Sequence, residues 1–111
     1  GLRGRGGRPP DLLLMLVAAL RLDLRIPACG SLKEKRHVIR TLANGIRSTF
    51  QVAVAETGYQ DMWQRAELGV AAVGSEGHHL KKVMHGVERF VERWAEVDII
   101  DIDLTLHSPE D

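Results

Sequence analysis

Hydrophobic positions along the chain switch between two periods, and the switches mark out six elements. From Leu20 apolar residues take every second place, Leu20, Leu22, Leu24 and Ile26, with Arg21, Asp23 and Arg25 between them. A period of two marks a half-buried strand, and Pro27, which has no backbone donor, stops it. After Ser31 the period lengthens. At about 100° per residue Leu32, Val38, Ile39, Leu42, Ala43, Ile46 and Phe50 share one arc, which predicts an amphipathic helix. Ser31 with Glu34 three positions on gives that helix a capping box. Residues 52–55 and 68–73 read as two short strands around a polar, aromatic loop at 57–65. Beyond a turn at 74–77, a second helix carries Leu80, Val83, Met84, Val87, Phe90, Val91 and Trp94 on its inner face. Ile100, Ile102, Leu104 and Leu106 then alternate with Asp101, Asp103 and Thr105 in a fourth strand.

The order β-α-β-β-α-β predicts an α+β, ferredoxin-like sandwich. With right-handed crossovers, both helices cover one face of an antiparallel four-stranded sheet of order 4-1-3-2. Strand one then lies beside strand four, and Arg21 and Arg25 share the uncovered face with Asp101 and Asp103. The expected single domain spans 15–107. Residues 1–10, rich in Gly, Arg and Pro, hold no pattern that buries a face, so 1–14 reads as a flexible extension and 108–111 as a tail.

Composition narrows the function classes. Hydrophobic residues make up 44% and charged residues 27%, ordinary for a globular chain. Fifteen basic residues balance fifteen acidic ones, so any nucleic-acid role rests on a local patch rather than on net charge. The single cysteine, Cys29, excludes an internal disulfide and fits a reducing, cytoplasmic setting. The apolar run 12–20 is too short for a membrane span, which needs about 20 residues. It passes into the alternating strand without the break a signal peptide needs, so no membrane partner is expected.

The stretches LRLDLRIP, SLKEKR and DMWQRAELGV, in this order and spacing, resemble the YlxP-like bacterial family, a domain of unknown function. The similarity runs from about Met15 to Leu106. It implies a ferredoxin-like fold, and a family whose genes often sit beside those for translation initiation and ribosome maturation. It supplies no catalytic residue. Members usually begin with a methionine at the first strand, which here is Met15, so 1–14 again reads as an addition.

The expected topology brings the start of the first helix and the 57–65 hairpin to one end of the domain, with Arg93 and Trp94 delivered there by the second helix. That end holds Lys33, Lys35, Arg36, Tyr59, Gln60, Trp63 and Arg65. Lys33, Arg36, Arg40 and Arg47 fall within about 60° on the helical wheel, while Lys35 lies inside the apolar arc, its stem packed and its head at the rim. A basic stripe beside exposed aromatics suits phosphate contact and base stacking. A solvated helix face accounts for the same stripe, and a large side chain such as Trp63 near a hairpin tip often packs over a strand edge or an oligomer contact instead. Arg65 either clamps a phosphate or pairs with Asp61 or Glu67.

Other candidates are weaker. His78 and His85 lie seven apart, about 10 Å along one helix face, too far to share a metal ion. Cys29 has no histidine placed near it, so an idle or buried thiol is expected. Acylphosphatases share the fold, but 28–31 lacks the arginine of their phosphate cradle, and fold alone does not carry catalysis. Across the open sheet, Ala53, Ala55, Gly69, Ala71 and Val73 form an apolar patch that predicts a homodimer. The expected function is non-catalytic RNA or ribosomal-particle association, with no cofactor, metal or small-molecule substrate. The alternative is a homo-oligomeric protein-interaction module.

Overall fold

A computed structural model describes residues 15–109; the expected extension at 1–14 and residues 110–111 lie outside the described residues. The elements run β1 (Leu16–Arg25), α1 (Leu32–Phe50), β2 (Ala53–Gly58), β3 (Arg65–Gly74), α2 (Gly77–Glu92) and β4 (Asp98–His107). The strands form one sheet of order β2-β3-β1-β4 with every pairing antiparallel. This is the expected 4-1-3-2 order read from its other edge. No helix among the described residues is long and apolar enough to cross a membrane.

The strands outrun the hydrophobic alternation. β1 and β3 pair from Leu16 with Gly74 to Arg25 with Arg65, so the expected 57–65 loop shrinks to 59–64. Backbone donors and acceptors gain partners along that whole length, which outweighs the polar side chains at its end. Two register shifts bend the sheet: Thr57 is an extra residue in β2, and Ile100 an extra residue in β4 opposite Asp23 and Leu24.

β1 supplies the centre of the core, with Ala18, Leu20, Leu22 and Leu24 buried and Ile26 just beyond its end buried as well. Ile39, Leu42 and Ile46 of α1 and Leu80, Met84, Val87 and Val91 of α2 close over it. Ser31 caps α1, its hydroxyl accepting from the Glu34 amide at 3.1 Å. The Glu34 carboxylate reaches one residue further back than a capping box requires and accepts from the Gly30 amide at 2.7 Å. α2 has no such side-chain cap.

The helices approach each other through glycine. A Cβ on Gly45 would sit 3.0 Å from the Phe90 ring, and one on Gly86 2.8 Å from Phe50. Phe50 meets Phe90 edge-on at 5.7 Å, and Phe90 lies 5.6 Å from Trp94. This packing sets Trp94 beside Gly45, and Arg93 beside Thr49 and Phe50, in the C-terminal half of α1. The expectation that Arg93 and Trp94 reach the SLKEKR end is therefore corrected.

Candidate nucleic-acid interface

Lys35 decides how this end of the domain is built. It lies in the apolar arc of α1 and is 1% exposed, so its head does not emerge at the rim as its sequence position suggested. Its ammonium donates to the Tyr59 carbonyl at 2.5 Å and lies 2.8 Å from a Glu56 carboxylate oxygen. A charge can be taken inside only when it is paired and hydrogen-bonded, and both conditions are met here. The second turn of α1 is thereby tied to the end of β2, and one cation is removed from the surface.

Tyr59 is the receiving side of that tie. Its backbone has φ 59°, in the left-handed region that side chains rarely adopt. Four contacts hold it there. Its carbonyl accepts from Lys35 and from the Met62 amide, its hydroxyl accepts from Arg65 at 3.1 Å, and the Arg65 guanidinium lies over its ring at 4.4 Å.

Arg65 pairs with neither Asp61 nor Glu67. It donates to both Asp23 carboxylate oxygens, at 2.8 and 3.0 Å, across the sheet on β1. This bond to Asp23 raises the guanidinium above its ordinary range. The pairing explains how Asp23 can be buried on the uncovered face of the sheet. Strand parity could have found it, since β1 and β3 place both residues on that face.

The expected meeting of strands one and four is present, with Arg21 donating to Asp101 at 3.1 Å and lying 3.7 Å from Glu67. The bond to Asp101 raises the Arg21 guanidinium as well. Glu67 also accepts from the Thr57 hydroxyl at 2.7 Å.

What remains free is a smaller set than the sequence suggested. Lys33, Arg36 and Arg40 are exposed and make no ion pair among the described residues. Arg47 is turned onto Asn44 and the Val54 carbonyl, covering the outer edge of β2. Arg36, Arg40 and Arg47 bank a groove of about 250 Å³ between α1 and β2.

The hairpin tip lies at the same end. The Gln64 side chain donates to the Cys29 carbonyl and the Ile26 amide to the Gln64 carbonyl, lashing the tip to the loop before α1. Gln60 donates to the Glu56 carbonyl at 3.3 Å. Trp63 is 47% exposed and so is Met62, an apolar surface residue that sequence reasoning passed over. Beside the start of α1 a cleft of about 620 Å³ opens over Ile26, Ala28 and Val38, with Lys33 and His37 among its lining. Cys29 is buried in its wall, its thiol donating to the Ser31 carbonyl.

On the far side, the uncovered sheet holds a shallow trough of about 470 Å³ floored by Ala19, Ala53, Ala55, Gly69 and Ala71. Val73 stands 66% exposed on the same face.

Known proteins match in sequence and in fold. The family described as "Protein of unknown function (DUF503)" matches residues 17–104. The uncharacterized protein YlxP of Bacillus subtilis (strain 168) is 39% identical over 69 residues, covering 62% of this chain and 75% of that relative. Among solved structures, the de novo designed protein Foldit4 superposes with a TM-score of 0.52 at 9% identity, over 85% of this chain and 97% of its own. The Bacillus subtilis YXEP protein, a dinuclear metal binding peptidase of the M20 family, gives 0.51 at 12% identity. That match covers 92% of this chain but only 28% of the peptidase. At such identities the likeness is one of fold alone.

Proposed function

The chain belongs to the DUF503 family of proteins of unknown function, and on that premise we propose, from its own geometry, that it is a non-catalytic RNA-binding domain associating with ribosomal particles. One observation carries the reading. The buried Lys35 tie holds a hairpin tip with an exposed Trp63 at the end of α1 where Lys33 and Arg36 carry no ion pair among the described residues. Exposed cations meet phosphates, and an exposed indole offers a stacking platform for an unpaired base. A non-catalytic role is supported by the open face, where Asp23, Glu67 and Asp101 are engaged by arginines rather than left to move protons. The gene neighbourhood of the YlxP-like family favours ribosomal RNA as the partner. Sedimentation with ribosomal particles tests it: the protein comigrates at low salt and leaves at high salt. Absence from the particles at every salt concentration, with no shift of free RNA, refutes the reading.

The sheet trough favours a second activity, self-association. Small side chains let another copy approach closely, and exposed Val73 gains cover. Ala71→Arg is expected to convert a dimer into a monomer in equilibrium sedimentation. Salt-insensitive dimerisation without any RNA binding would make self-association the function and displace the first reading.

A further inference from the structure

The zero net charge of the chain conceals a segregation of charge between its two layers. Asp98, Asp101 and Asp103 lie on β4 and Glu67 on β3. Among the described residues most exposed lysines and arginines without an ion pair lie on the helices, Arg25 at the end of β1 being an exception. On α2, His78, Lys81, Lys82, His85 and Arg89 are all exposed, and they alone line a hollow of about 300 Å³. At 100° per residue they share an arc of about 100°, so the hollow follows from helical spacing.

No carboxylate lines it. Glu88 and Glu92 follow on the same helix, but neither makes an ion pair with these residues among the described ones. Lys81, Lys82 and Arg89 thus hold three positive charges on one solvated helix face, which a bound anion would neutralise. Arg89 belongs both to this hollow and to the groove of about 500 Å³ between the helices, over Phe50, Phe90 and Trp94. The buried Trp94 indole N–H in that groove has no hydrogen-bond partner among the described residues. A basic, partly aromatic path therefore leads from α2 toward α1.

We propose that the outward face of α2 is a second phosphate-contact surface, at which His78, Lys81, Lys82, His85 and Arg89 track successive phosphates of one RNA. Residues 78 to 89 span about 16 Å of helix axis. That is too long for a single phosphate group and fits several along a strand, which even in duplex DNA follow only about 3.4 Å apart on the axis. The choice of RNA rests on the function proposed above; the basic hollow itself does not.

The test uses the whole protein and labelled single-stranded RNA of about six and about thirty nucleotides, the shorter unable to span both surfaces and drawn to the α1 end, where exposed Trp63 adds stacking. Lys81→Gln/Lys82→Gln/Arg89→Gln is expected to weaken binding of the longer strand about tenfold at low salt. It should flatten the plot of log affinity against log salt by about 2, since three phosphates are no longer neutralised. Binding of the shorter strand stays unchanged. On the parent protein, the longer RNA shifts the His78 and His85 ring resonances. Parent-like binding of the long strand by this variant at every salt concentration overturns the proposal while leaving the α1 site standing. An α2 effect without any effect of replacing Lys33, Arg36 and Arg40 removes the α1 site instead. Saturable His78 and His85 shifts with inorganic phosphate but none with RNA also overturn it, and mark a small-anion site.

Discussion

Lys35 and Lys33 stand two residues apart on α1, and the domain uses them in opposite ways. The inner seam takes Lys35 whole, against Glu56 and the Tyr59 carbonyl, and with it fixes where the hairpin tip sits. The outer stripe leaves Lys33, Arg36 and Arg40 in water, with no ion pair among the described residues. Arg65 at the tip goes the way of Lys35, drawn onto Asp23 and the Tyr59 ring. A basic residue is thus a ligand contact or a structural staple according to whether a carboxylate shares its side of the fold. The seam builds the hairpin end, and the stripe is left facing solvent.

The sharpest break of this comparison is Lys35→Met, which keeps the packed stem but strands Glu56. Loss of one partner of a buried pair costs about 3–5 kcal/mol, and Glu56 retains some water, so about 2–4 kcal/mol is expected in urea unfolding. Adding Glu56→Leu should recover part of that, because the unpaired carboxylate is then gone. An unchanged unfolding midpoint for Lys35→Met would mean the staple does not hold the tip.

Replacing Lys33, Arg36 and Arg40 together by Gln should do the reverse. Stability stays within about 1 kcal/mol, as for exposed substitutions generally. RNA affinity falls roughly tenfold at low salt, and the salt slope flattens by about 2 for single-stranded RNA. A fall in stability with affinity unchanged would place these residues with the staple.

Trp63→Ala is expected to lower affinity about fivefold, or ~1 kcal/mol, the low end for base stacking because half the ring is already covered. Its melting temperature should match the parent's. A lower melting temperature with unaltered binding assigns the indole to packing. The smallest effect belongs to Arg21→Gln, which should alter neither thermal melting nor RNA binding measurably. Its contact with Asp101 lies exposed, and exposed ion pairs contribute little.

Much of this was legible in the chain. Alternation at Leu20–Leu22–Leu24 and at Ile100–Ile102–Leu104, with the helical arcs between them, determined the element order, and the order left one simple antiparallel sheet. Periodicity suffices there because burying an apolar face is a one-dimensional requirement on spacing. The strand ends were hidden, since Arg65 and Glu67 are polar and face the open side, where pairing with β1 rather than side-chain burial keeps them in the sheet.

The site was legible as a region but not as a list of contacts. The chain itself placed SLKEKR and the WQR hairpin at one end. Only the tertiary structure decided that Lys35 turns inward, that Arg65 answers to Asp23, and that Trp94 stops beside Gly45. Spacing along an element fixes which way a side chain points. Whether it meets a carboxylate, a ring or water there depends on residues brought in from other elements, here 21, 24 and 42 positions away for Glu56, Tyr59 and Asp23.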